Sequence, residues 1–136
     1  MITFCGRGLN GEDVFDPKLR PRYGVSTQYM HGDIQNYRIS YWTGPRGTIN
    51  MRRAPGRELT AEVAGDVPTY ALDREVQLEL IRWQGRIVFK VDGQTLADWT
   101  DDAPFGDGFF SLRLMAAAKG WYDDYEVYRL LENPFQ

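Results

Sequence analysis

The segment Glu75 to Gly93, EVQLELIRWQGRIVFKVDG, leaves little freedom about what it can fold into. Two alternating runs flank Gln84-Gly85, a pair that suits a two-residue hairpin turn. Pairing Trp83 with Arg86 sets the register. Leu80 then faces Phe89 and Leu78 faces Val91 on one side of the hairpin. Ile81 meets Val88 and Glu79 meets Lys90 on the other. A slip of one residue would break both the apolar and the charged matches, so one register is favoured.

The rest of the chain continues this pattern. Asp92-Gly93 reads as a second turn, followed by a short strand at TLADW. GFFSLRLM, residues 108–115, alternates Phe110, Leu112 and Leu114 against Ser111 and Arg113. DYEVYRLL, residues 124–131, is strand-like in propensity. IQNYRISYW sets Tyr37, Ile39 and Tyr41 against Arg38, Ser40 and Trp42, and TINMRR sets Ile49 and Met51 against Asn50 and Arg52. Only MAAAKGW hints at a helical turn, which Gly120 ends. Short strands between Gly, Pro and Asp turns spell one all-β domain over residues 1–136, an antiparallel β-sandwich. ITFC, at the start, reads as a strand already under way. An unpartnered apolar edge strand there would recruit a second copy, giving a homodimer.

Composition excludes several functions. The net charge is −3 and the isoelectric point is near 5.1, which argues against a nucleic-acid binder. No apolar run approaches the ~20 residues of a membrane span, and the first residues lack the basic region of a signal peptide. The single Cys5 excludes an internal disulfide framework and a Cys-based zinc site. A cytoplasmic, reducing setting is the expectation. There is no Gly-rich phosphate loop, nucleophile elbow or metalloprotease motif, so no cofactor is expected.

GLNGEDVFDP, YMHGDIQNYRISYW, NMRR, VFKVDGQTLADWTDD and SLRLMAA, in that order, resemble the bacterial YesU-like family. The resemblance runs from about Phe4 to about Tyr128. It implies a concanavalin-like (galectin-like) jelly roll of the lectin/glucanase class, with an association with plant-polysaccharide utilisation. Relatives of this kind carry further strands ahead of the point where Met1 stands, so an incomplete version of the jelly roll is expected. The family brings no agreed catalytic residues.

Within that frame the face carrying Arg38, Trp42, Asn50 and Arg52 is the first candidate site, and Arg113 is able to join it. Trp offers a flat apolar surface to a pyranose ring, while Arg and Asn present directional donors to hydroxyls. Arginine also grips a carboxylate in bidentate fashion, as on uronic acids. The alternative is a solvated sheet face. Tyr29, His31 and Asp33, at alternate positions, would point one way in a strand and bring a proton-transfer pair with them. If Gly32 instead starts a turn, His31 is an ordinary surface residue.

Two loops are acidic. Glu12, Asp13 and Asp16 sit among the turn signals Asn10-Gly11 and Asp16-Pro17. They read first as acids that cap turns and pair with Lys18, Arg20 or Arg22, and second as a cleft rim or a calcium site. Asp98, Asp101, Asp102 and Asp107 read first as turn acids bonding their own backbone, and second as a calcium site. No metal site is therefore assigned. The function expected is oligosaccharide binding, as a carbohydrate-binding or accessory protein for plant-cell-wall, including uronate-containing, oligosaccharides. A glycoside hydrolase or polysaccharide lyase, and a structural β-protein with no ligand of its own, are the alternatives.

Overall fold

The computed structural model describes residues 1–41, 47–56, 58–64, 74–114 and 118–136. Among the described residues, eight strands and one short helix follow in chain order. They are β1 (Ile2–Gly8), α1 (Ser26–Met30), β2 (Ile34–Tyr41), β3 (Thr48–Ala54), β4 (Glu58–Ala64), β5 (Leu78–Trp83), β6 (Arg86–Val91), β7 (Gln94–Thr100) and β8 (Phe109–Leu112). All described pairings are antiparallel, in a five-stranded sheet ordered β4-β3-β2-β1-β8 and a three-stranded sheet ordered β5-β6-β7. This is the antiparallel all-β sandwich expected from the alternation. No helix among the described residues is long and apolar enough to cross a membrane.

The core follows from strand parity. Ile2 and Phe4 of β1, Tyr37 and Ile39 of β2, and Ile49 and Met51 of β3 turn inward from the larger sheet. Ile87, Phe89 and Val91 of β6 meet them, with Leu96, Ala97 and Phe105. Successive residues of a strand face opposite ways, so one apolar parity buries a whole sheet face.

The β5–β6 hairpin has the register read from its sequence: Leu78↔Val91, Glu79↔Lys90, Leu80↔Phe89, Ile81↔Val88 and Trp83↔Arg86. Glu79 and Lys90 form the ion pair at 2.9 Å. Gly85 is required where it stands. A Cβ there would lie 2.2 Å from the Asp101 carbonyl oxygen, because the Asp101 N–H donates to the Gly85 carbonyl at 2.9 Å.

Across the sandwich runs a polar network that links the sheets. The Tyr37 hydroxyl donates to Asp101 Oδ2 at 2.6 Å and accepts from the Phe105 N–H at 3.0 Å. Arg53 Nε donates to the same carboxylate oxygen at 3.0 Å, and its guanidinium stacks 4.1 Å from the Phe105 ring centre. Burial first, then the hydrogen bond to Asp101, pushes the Tyr37 hydroxyl up to about 12. Burial alone would raise Asp101. The hydrogen bonds from Tyr37, the Ala103 N–H and Arg53 outweigh it and hold the carboxyl below its ordinary value.

Two expectations are corrected and one strand is added. β1 is hydrogen-bonded to β2 on one side and β8 on the other, so ITFC is interior to the sheet and offers no open edge for a homodimer. Residues 124–131 form no strand: a strand needs a partner ladder, and strand propensity alone supplies none. Val127, Tyr128 and Leu131 are instead exposed. β4 is a strand the sequence reading passed over, although Leu59, Ala61 and Val63 alternate with Glu58, Thr60 and Glu62 along it. Of MAAAKGW, residues 115–117 lie outside the described residues.

Candidate functional site

The face of the five-stranded sheet turned away from the core takes the opposite parity. One row crosses four strands: Arg52 pairs with Arg38, Arg38 with Thr3, and Thr3 with Ser111. A second row joins Asn50 to Ser40. Asn36 lies two residues before Arg38 on the same side. Arg113 follows Ser111 by two and lies close enough for its charge to act on Arg38. The structure thus brings Arg38, Asn50, Arg52 and Arg113 onto one face. Trp42 lies outside the described residues.

This face is not an ordinary solvated one. Arg38 is 5% exposed and Asn36 1%. Arg38 Nε and Asn36 Oδ1 are both buried with no hydrogen-bond partner among the described residues. A buried donor or acceptor left unpaired costs roughly 1–3 kcal/mol, so two on one strand are a notable concentration. Burial first, then the charges of Arg113 and Arg52, holds the Arg38 guanidinium below its ordinary value, with Tyr29 acting the other way. Like charges placed directly opposite on neighbouring strands repel.

The border of the face is the segment from Gly24 through α1, fixed at three points. The Gly24 carbonyl accepts from Arg113 Nη2 at 2.9 Å, and the Tyr29 carbonyl accepts from Asn36 Nδ2 at 3.4 Å. The Met30 carbonyl accepts from the Gly56 N–H, in the β3–β4 turn, at 2.9 Å. Tyr29 therefore stands at the rim of the arginine face.

His31 and Asp33 part company with it. Tyr29 is helical and His31 caps that helix, its N–H donating to the Thr27 carbonyl at 3.0 Å. The strand that would have aligned Tyr29, His31 and Asp33 starts only at Ile34. Gly32 is needed at the bend, since a Cβ would fall 2.1 Å from the Gln28 carbonyl oxygen. His31 and Asp33 line a separate cleft of about 270 Å³ with Arg20, Arg22, Thr27 and Gln28. Asp33 is engaged there. Its Oδ2 accepts from the Arg20 N–H at 2.7 Å, and its Oδ1 lies 3.5 Å from Arg22 Nη1. The Arg20 N–H bond is the main reason its carboxyl lies below the ordinary value.

The acids of the first loop close turns. Glu12 accepts from the Asn10 N–H and side-chain amide, both at 2.9 Å. Asp13 accepts from the Phe15 N–H and Asp16 from the Lys18 N–H, each at 2.8 Å. Arg22 goes to Asp33 and to the Val14 carbonyl rather than to these acids. In the second loop Asp98 binds Arg86 and Asp107 lies 3.3 Å from Arg82, while Asp101 joins the core network. Among the described residues no three His, Cys, Asp or Glu side chains gather as a metal site.

Sequence reasoning missed Asn36, Thr3 and Ser111 as members of the face. The parity that exposed Arg38 and Ser40 also includes Asn36, so that residue was within reach. Thr3 and Ser111 join only through the β2-β1-β8 pairing, which links distant segments.

Comparison with known proteins agrees with this architecture. The chain is 32% identical over 145 residues to the uncharacterized protein YesU of Bacillus subtilis (strain 168), a match covering 98% of the chain and 66% of that protein. It also superposes on a Bacillus subtilis crystal structure described as a protein of unknown function with a galectin-like fold. There the TM-score is 0.69 and the identity 30%, over 80% of the chain and 55% of that structure. The chain thus spans about two thirds of the one and about half of the other. Residues 1–127 match the family described as domain of unknown function (DUF1961), and the chain belongs to this YesU-like family.

Proposed function

We propose that the outward face of the five-stranded sheet binds carbohydrate. The carrying observation is the row Arg52–Arg38–Thr3–Ser111, with Asn36, Ser40 and Asn50 beside it, backed by the buried unpartnered Arg38 Nε and Asn36 Oδ1. A sugar presents many hydroxyls that both donate and accept, and such a mixed lining answers them group by group. A galectin-like architecture is compatible with sugar binding. The ligand class we assign is an oligosaccharide of plant-cell-wall type. The chain acts as a binding or accessory protein.

An enzyme reading draws less support. Asp33, the carboxylate nearest in sequence to His31, is held by the Arg20 N–H and by Arg22, in a cleft whose walls do not include Arg38, Asn50 or Arg52. Screening the purified chain on a glycan array tests the proposal. Saturable binding lost in Asn50→Ala, with the fold intact by circular dichroism, is the expected result. Binding to no glycan would sink it.

A further inference from the structure

We infer that the outer edge of β8, with the apolar surface beside it, pairs with the same edge of a second copy of this chain. β8 ends the five-stranded sheet, with β1 on one side and no strand on the other among the described residues. The Arg113 N–H donates to the Met1 carbonyl, and the Met1 amino group donates to the Arg113 carbonyl. In an antiparallel ladder the next bonded pair is then Thr3 with Ser111. The N–H and C=O groups of Phe110 and Leu112 therefore point away from β1, and they find no partner among the described residues. Open edges are commonly guarded by charged side chains or proline. The other three edges carry charge: Glu58 on β4, Glu79 and Arg82 on β5, and Asp98 on β7. β8, Phe109-Phe110-Ser111-Leu112, carries neither charge nor proline.

The surface beside this edge is apolar. Leu112 packs against the core, so Phe110 shares its side of the sheet, yet Phe110 is 38% exposed and Leu114 42%. Tyr125 packs on the Phe110 ring and Phe15 meets the Phe109 ring edge-on, both at 5.3 Å between centroids, which joins these side chains into one patch. Tyr125 and Phe15 are themselves exposed. Area favours a second copy as the cover. The chain exposes 9268 Å², whereas a folded monomer of 15.7 kDa exposes about 7,300 Å². The excess is about 2,000 Å², and one subunit of a permanent homodimer buries roughly 1,000–2,500 Å². β8 also suits itself. With Ser111 opposite its own copy in an antiparallel pair, Phe110 stands opposite Leu112 and Phe109 opposite Arg113. No like charges meet, and the outward groups of Phe110 and Leu112 bond reciprocally. A two-fold contact of this kind uses both β8 edges at once.

The test is sedimentation velocity of the purified chain over a dilution series, with amide hydrogen exchange on the same samples. The expected mass is twice 15.7 kDa at high concentration, falling on dilution. The Phe110 and Leu112 amides are expected to exchange slowly in the dimer and fast in the diluted chain. Phe110→Lys is expected to weaken the dimer roughly tenfold or more, because it carries an unpaired charge into an apolar contact. Leu59→Lys, on the β4 edge, is expected to leave it unchanged. The exchange of Leu112 in the unaltered chain carries the test even if the Phe110 variant does not fold. A dimer in which Phe110 and Leu112 exchange fast, or one that a folded Phe110→Lys variant keeps, would overturn the proposal. A chain that stays monomeric at every concentration and binds an apolar dye would leave this face to a different polypeptide and overturn it equally.

Discussion

Tyr37 shows how one residue serves both halves of the molecule. Its ring packs against Phe4, Phe105 and Trp99, and its hydroxyl bridges Asp101 and the Phe105 N–H. Tyr37→Phe keeps the ring and strands those two partners. The expected loss is about 1–3 kcal/mol in urea unfolding. Asp101 carries the pH dependence. Its folded-state value is depressed, so its contribution is fully present above the ordinary carboxylate value and is lost as pH falls through the depressed one. Asp101→Asn is therefore expected to lower stability at pH 7 and to flatten the decline below about pH 4, as followed by thermal melts across pH. Arg38 behaves in the opposite sense. Replacing a buried, uncompensated charge by an apolar side chain of similar length removes a desolvation cost, so Arg38→Met is expected to leave the free protein unchanged or to stabilise it by roughly 1–4 kcal/mol. From sequence, the outward position of Arg38 was legible in the alternation with Tyr37 and Ile39. Its burial was not, because α1 and the segment before it settle at the edge of that face through contacts such as Arg113 to Gly24, 89 residues apart. The Tyr37–Asp101 bond, spanning 64 residues, was equally out of reach.

Among the elements, the β5–β6 hairpin was the most legible, because adjacent strands pair locally and each cross-strand match constrains the next. Its turn has a requirement that no local pattern shows. Gly85→Ala would drive a Cβ into the Asp101 carbonyl, so a loss of a few kcal/mol is expected, against well under 1 for Glu79→Gln on the exposed side. Equilibrium unfolding of the two variants checks the contrast. The segment at 124–131 teaches the reverse lesson. Tyr125, Val127 and Tyr128 suit a strand, but in this structure they find no ladder and stay exposed. Hydrogen exchange should therefore be fast at 121–131 and slow in β2 and β6. Slow exchange at 121–131 would mean that the segment pairs with something, a second copy being the first candidate. α1 escaped the sequence reading because a single turn carries no periodicity to detect.

At the scale of the molecule, two sheets share one apolar core and divide the remaining work. The inner faces hold the fold, and the Tyr37–Asp101–Arg53 network ties one sheet to the other. The outward face of the larger sheet carries polar groups whose hydrogen-bonding capacity the fold leaves unused. The sequence showed the sandwich because strand alternation is local. It showed half of the candidate site, since Arg38, Asn50, Arg52 and Arg113 gather as expected while His31 and Asp33 belong to another cleft. The division of that set comes from where β2 begins, which a bend at Gly32 decides. The most direct measurement of the account is an amide NMR titration of the labelled chain with an acidic plant-cell-wall oligosaccharide. Saturable shifts centred on Arg38, Ser40, Asn50 and Arg52, with His31 and Asp33 little changed, are the expected result. Shifts confined to the Arg20–Asp33 cleft, or none at saturating sugar, would contradict it.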